Sequence, residues 1–246
     1  MWTIAEYQPT AFFSLRPYTA TSSGGKSLLV PTPFAIKMGL LDAAIRTQGM
    51  ERGQELFPAI RDLRIAVRLP HRIVVNNTFT KIWRLNDSVS KKGKAEKERL
   101  IIEAKTERKW PYQSSIGFRE YVQFGGPLTL ALSGITHAEL TPLLLQLNYI
   151  GKRGGFIQLV RPPVEVGEFP EGFTVLTESV GSTFPLGTLQ MVDDCGPGLT
   201  FDHVNIYHAK KIKPGKDRVF HHVVLPLRPV RSSRGFTLYE EMETRR

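Results

Sequence analysis

Cysteine is almost missing. Cys195 is the one example in 246 residues, which excludes an intramolecular disulfide and any Cys-rich zinc module and suits a reduced compartment. Long apolar runs are also missing. Nothing approaches the ~20 residues that span a bilayer, and the first ten residues hold Glu6 but no apolar stretch of the kind an export signal needs. Solenoid repeats and heptads are absent. The histidines show no H-x-x-x-H or C-x-x-C partnering of the kind that holds a metal. Acids are in short supply: 23 Asp and Glu face 33 Lys and Arg, a net charge of +10. Such an excess costs self-repulsion in the folded state and points to an anionic partner. What is present is ordinary globular material, with 41% hydrophobic and 23% charged residues, enough to bury a real core.

The aromatic run Ala11-Phe12-Phe13-Ser14-Leu15 reads as the first strand, stopped by Pro17. Thr32 followed by Pro33 is an N-cap with a first-turn proline. Phe34, Met38, Leu41 and Ile45 then recur at helical spacing up to Gly49, predicting a helix over 33–48. A second, shorter helix is expected over 51–59. Strands follow at 64–69, 73–75 and 78–85.

Residues 86–109 change character: eight bases, among them Lys91, Lys92, Lys94 and Lys109, are offset by five acids. So little apolar side chain cannot pack a core, and a projecting hairpin or mobile excursion is expected. Strands resume at 116–124 and 128–132. Thr136 and Glu139 form a capping-box pair, although Pro142 suggests that the regular helix begins only at 141–142. A strand at 156–160 comes directly after a glycine-rich turn. The order strand, helix, strand, insertion, strand, helix, strand is the βαββαβ order of an α+β, ferredoxin-like domain. It covers residues 1–160, with a basic thumb at about 86–110. Residues 161–246 form a β-rich C-terminal region with candidate strands at 173–176, 203–207 and 219–227. Asp193, Asp194 and Cys195 read as a Gly/Pro-rich loop.

Two loops look able to approach phosphates. Ser23-Gly24-Gly25-Lys26-Ser27 lacks the first glycine of a nucleotide-binding P-loop and has no helix directly after it. Its glycine backbone and Lys26 could still meet a phosphate without a fixed cradle. Gly151-Lys152-Arg153-Gly154-Gly155 is the sharper signal, because three glycines admit close backbone approach and two cations supply charge. The bland alternative is a basic turn with Gly151 as helix C-cap. Aromatics stand beside bases at Arg16-Pro17-Tyr18, Trp83-Arg84 and Lys109-Trp110-Pro111-Tyr112, a pairing that suits stacking on unpaired bases. A metal-free ribonuclease would need a His, Tyr or Lys near a ribose hydroxyl. His137, Tyr149 and Lys152 lie close to the glycine turn in sequence.

Together these residues resemble the RAMP superfamily of CRISPR-associated proteins. More narrowly, they are similar to the Cas five family, the Cascade subunit that caps the 5′ handle of CRISPR RNA. The strand-and-loop Phe12-Phe13-Ser14-Leu15-Arg16-Pro17 leading into Val30-Pro31-Thr32-Pro33-Phe34-Ala35-Ile36-Lys37 is similar to that family's first strand and proline-led helix. Tyr149-Ile150-Gly151-Lys152-Arg153-Gly154-Gly155-Phe156 resembles its helix–glycine-turn–strand, and the basic excursion falls where it inserts a thumb.

The resemblance covers about residues 8–160. It implies a non-catalytic, cytoplasmic RNA-binding subunit without a cofactor or metal, in a type I antiviral ribonucleoprotein complex. Its partners would be the crRNA 5′ handle, repeated backbone subunits and the large subunit, with target DNA met through the complex and no membrane. One branch of the family also cleaves precursor RNA. On this reading Arg16, Tyr18, Lys26, Ser27, Gly151, Lys152, Arg153, Gly154 and Gly155 would bind RNA, while Lys91, Lys92, Lys94, Lys109 and Trp110 would form the thumb. A pre-crRNA endoribonuclease and a general basic RNA scaffold remain the alternatives.

Overall fold

Thr32 accepts the Ala35 amide at 3.2 Å and Pro33 takes the first helical position, so α1 (Pro33–Gln48) starts where its cap dictates. The structure is a computed structural model that describes residues 1–18, 20, 25–107, 112–152, 154–181, 185–208 and 210–242. The chain opens with β1 (Trp2–Pro9), followed by α1, α2 (Met50–Arg61), β2 (Arg64–Arg68) and β3 (Arg72–Leu85). Two helices, α3 (Asp87–Ser90) and α4 (Lys94–Thr106), precede β4 (Tyr112–Phe124), β5 (Leu128–Ser133), α5 (His137–Gln146) and β6 (Ile157–Leu159). The rest holds β7 (Val164–Val166), β8 (Thr174–Val175), β9 (Thr188–Cys195), α6 (Phe201–Val204), β10 (Arg218–Leu225), β11 (Leu227–Ser232) and β12 (Phe236–Glu241).

The first sheet runs β6-β1-β5-β2-β8, and β7 also pairs with β1. All its neighbours are antiparallel. The order β6-β1-β5-β2, with α1 and α5 as its two connections, makes this an α+β, ferredoxin-like fold. One face packs on the helices: the Tyr7 hydroxyl crosses the core to donate to the Leu144 carbonyl of α5 at 2.8 Å.

The first strand is not residues 11–15 but β1, at 2–9. The apolar alternation there is disguised by Thr3 and Tyr7, which are buried because their hydroxyls find His137 and Leu144. Phe13 makes one bridge to Val122, with its ring in the core against Phe124, while Phe12 points outward. Helix α5 begins at His137, ahead of Pro142, with Thr136 as its cap.

The insertion between β2 and β5 is larger than expected. β3 and β4 pair as one hairpin from Ile73↔Phe124 to Leu85↔Tyr112, long enough to reach about 45 Å at the usual rise per strand residue. At its base Ile73, Val75, Val122 and Phe124 are buried; further out on the same face Phe79 and Ile116 are 56% and 76% exposed, so the hairpin projects. The basic stretch at its tip is helical, not a strand pair. Lys94–Thr106 is rich in strong helix formers, and α4 buries none of its residues.

The base of this hairpin belongs to a second sheet, β11-β12-β3-β4. Strands β9 and β10 form a two-stranded ribbon, and Val192, Leu199, Val223, Leu225 and Leu227 join the same core as α1, β1 and α5. Asp193, Asp194 and Cys195 therefore lie in a strand rather than a loop, all buried. The strand expected at 203–207 is instead α6 and a turn, stabilised where the Thr200 amide donates to His203 Nδ1 at 3.0 Å. No helix among the described residues is long and apolar enough to cross a membrane.

Candidate nucleic-acid interface

Two loops far apart in sequence meet. Leu15 and Arg16, from the segment after β1, share a cavity of about 340 Å³ with Tyr149, Gly151 and Lys152, from the turn between α5 and β6. The first turns of α1 form its wall through Thr32, Phe34 and Ala35. A helix N-terminus adds partial positive charge there and favours an anion.

The turn is built by its own backbone. The Ile150 amide donates to the Gly155 carbonyl at 3.1 Å and the Gly155 amide to the Lys152 carbonyl at 2.9 Å. Gly151 sits at φ +76°, a conformation that disfavours a side chain, and a Cβ there would come within 3.2 Å of Leu15. Its glycine identity thus brings the two loops together. Lys152 is exposed at the rim.

The floor was not evident from sequence. Arg218 of β10 holds Asp193 of β9 through both Nε, at 2.7 Å, and Nη2, at 2.5 Å. Its guanidinium lies 4.0 Å from the Phe34 ring centroid and 4.6 Å from that of Tyr18. Tyr18 also meets Phe220 at 5.3 Å. Charged residues of the cavity are thus three cations, Arg16, Lys152 and Arg218, and one carboxylate, Asp193. Asp193 is itself positioned by its neighbour. Buried Lys37 donates to Asp194 at 2.6 Å and to the Arg61 carbonyl at 2.7 Å, tying α1 to β9.

The other loop contributes less than expected. Thr19 and residues 21–24 lie outside the described residues. Gly25 is packed against β4, where a Cβ would fall 1.9 Å from the Phe118 carbonyl oxygen. Ser27 is engaged within the protein: its amide donates to the Glu120 carboxylate at 2.7 Å and its hydroxyl takes the Leu15 amide at 3.0 Å. Lys26 is exposed. Gly154 and Gly155 lie in the turn itself, Gly154 at φ +105°; Arg153 lies outside the described residues, as do Lys109 and Trp110. Lys91, Lys92 and Lys94 sit at the distal end of the hairpin, Lys92 paired with Glu96 at 3.2 Å, and do not line the cavity.

The three ribonuclease candidates are not gathered. His137 opens α5 and bonds Thr3 and Thr141, whereas Tyr149 follows the other end of that ten-residue helix, about 15 Å away at the helical rise. Among the described residues no group of three or more His, Cys, Asp or Glu is placed to hold a metal ion.

A ferredoxin-like sheet with a projecting hairpin and a glycine-turn cavity defines an α+β protein with a basic, glycine-opened pocket. No protein-family model matches the chain. It is 33% identical over 121 residues to the CRISPR-associated protein Cas5 of Archaeoglobus fulgidus, a match that takes in 49% of this chain and 46% of that protein. The chain therefore spans about half the length of the curated relative it matches. Among solved structures it is similar to a CRISPR protein from Archaeoglobus fulgidus and to a chain of a CRISPR RNA-guided surveillance complex. Each has a TM-score of 0.48 and 13% identity, with 98% of this chain and 91% of that chain covered.

Proposed function

We propose that the chain is a non-catalytic RNA-binding subunit of a type I CRISPR effector complex, holding the unpaired 5′ handle of the guide RNA in the cavity between residues 15–16 and 149–152. The observation that carries this reading is that the two basic segments separated by more of the chain than any local motif spans line one cavity. The similarity to a Cas5 protein supports the same reading.

Arg16 and Lys152 neutralise phosphates at the rim. The α1 N-terminus adds its dipole behind them. Arg218 is held flat by Phe34 and Tyr18 and is compensated by Asp193, so it shapes the floor more than it adds net charge. Gly151 keeps the wall open to the backbone of a strand. Backbone subunits and the large subunit of the complex are the protein partners on this reading, and target DNA is met through them.

The test is a titration of the full chain with single-stranded repeat-derived RNA at two salt concentrations. Lys152→Ala is expected to weaken binding about tenfold, the scale of one charged hydrogen bond, and to lower the salt slope by about 0.7 per lost phosphate contact. Unchanged affinity and slope would remove the cavity from the binding site. Equal affinity for a scrambled RNA would favour a general basic scaffold instead. Cut product in EDTA from the chain alone would overturn the non-catalytic assignment.

A further inference from the structure

The second sheet has one covered face and one open one. Direct pairing puts Val75, Val122, Ile73 and Phe124 on the covered face, where all four are buried. The opposite face carries Asn76 opposite Tyr121, Val74 opposite Gln123 and Thr78 opposite Arg119. It continues across β12, where Phe236 lies opposite Asn76 and Leu238 opposite Val74, and reaches Arg231 of β11 opposite Leu238. Phe12 extends the row at the β4 edge: it is 56% exposed, with its ring 6.4 Å from that of Tyr121.

Three aromatic rings, Phe12, Tyr121 and Phe236, therefore share one open sheet face. Beside Phe12 and Tyr121 is a cavity of about 560 Å³ whose lining also includes Asn76 and Gln123, while the Arg231 guanidinium lies 5.8 Å from the Phe236 ring centroid. Charge on this face is strongly one-sided. Arg72, Arg119, Arg228 and Arg231 lie on it, against Glu240, which is paired with Arg72 at 3.0 Å.

We propose that this open face of β11-β12-β3-β4 is a second nucleic-acid surface, taking an unpaired strand separate from the one in the Arg16–Lys152 cavity. Flat rings stack on bases whatever their identity, carboxamides pair with base edges, and the arginines at either side meet phosphates. An acidic protein could use the arginines, but it has no use for carboxamides set beside an exposed Phe12 ring and a half-buried Tyr121 ring. A duplex has no free base to stack. The inference does not depend on the handle reading, because its residues are on a different sheet from that cavity.

The experiment uses the full chain and a ten-nucleotide single strand carrying 5-bromouridine. Ultraviolet crosslinking and peptide mass mapping are expected to give adducts on Phe12, Tyr121 or Phe236. Phe12→Ala and Tyr121→Ala should each weaken single-strand binding about tenfold, within the range for loss of one stacked base, while Tyr121→Phe keeps it. Phe12 is exposed and Tyr121→Phe preserves the ring, so a folding defect would be told apart from a binding defect. The matching duplex should bind at least about tenfold more weakly than the single strand. Adducts confined to residues 14–18 and 149–152, or unaltered binding by Phe12→Ala, would overturn the proposal. Lys152→Ala should leave the sheet adducts in place, so failure at the cavity and failure at the sheet give different results.

Discussion

Lys37 is 1% exposed although it is a lysine in the middle of a helix. Its ammonium is held by Asp194, 157 positions later, and by the Arg61 carbonyl. Asp194 also accepts the Cys195 amide at 2.6 Å. Removing one member of such a pair leaves the other charge buried without compensation, at a cost of about 3–5 kcal/mol. Lys37→Met is therefore expected to lower stability by about 3 kcal/mol or more in a urea melt, with Lys37→Met/Asp194→Leu recovering part of the loss. A melt of Lys37→Met that superimposes on wild type would show that the pair is not what joins α1 to β9. In sequence Lys37 looks like a solvated helix position; its partner could not be found without the fold. The pairing of Arg218 with Asp193 was illegible for the same reason, since it joins two strands that no local motif links. Gly151 and Lys152 were legible because glycines beside cations carry a meaning that does not depend on distant partners.

At the scale of elements, the β3–β4 hairpin decides most of the architecture. Its base pairs with β12 and, through the isolated bridge at Phe13, with the segment after β1. Gly25 is packed into this junction: the Glu120 amide donates to its carbonyl at 2.8 Å, and its missing side chain makes room for the Phe118 carbonyl. Gly25→Ala sets a Cβ against backbone rather than a movable side chain. A loss of about 1–3 kcal/mol is expected, the usual cost of overpacking. Hydrogen exchange at the Glu120 and Ser27 amides should accelerate at the same time. Unchanged protection there would mean the loop is not anchored by this contact.

The helices announced themselves through Thr32-Pro33, Thr136 and the apolar spacing that follows each, because caps and periodicity are local signals. The register of β3 against β4 was less legible. Ile73 and Val75 mark one face and Val74, Asn76 and Thr78 the other, yet the strand reads as two short pieces until its partner is known.

Stability against pH belongs to the whole molecule, since groups on distant elements add to one profile. Burial pushes the Cys195 thiol up to about 12 from 9.0 and raises the Tyr7 phenol above 10.0; Tyr239 is raised as well, by burial and then by the Glu120 carboxylate. Each group keeps its proton longer in the folded chain than in the unfolded one. The folded state thus binds more protons above pH 9, and stability falls as pH rises. The expected profile loses stability above about pH 9, by at most about 1.4 kcal/mol per pH unit for each such group, with tyrosine adding from about pH 10. Cys195→Ala should flatten the first part of the fall. Identical alkaline profiles for the two proteins in denaturant melts would remove Cys195 as the cause.

Composition and local pattern were enough to determine a basic chain with an α+β, ferredoxin-like order, a cationic insertion and a glycine-opened turn. Charge balance, caps and hydrophobic periods are properties of neighbouring residues, and they survive without a fold. Only the tertiary structure decided that Arg16 and Lys152 line one cavity, that Arg218 lies against both Phe34 and Tyr18, and that Phe12, Tyr121 and Phe236 share one open face. Those relations depend on strand register and on contacts that close loops of a hundred residues or more, where a shift of one position turns every side chain to the other side of the sheet.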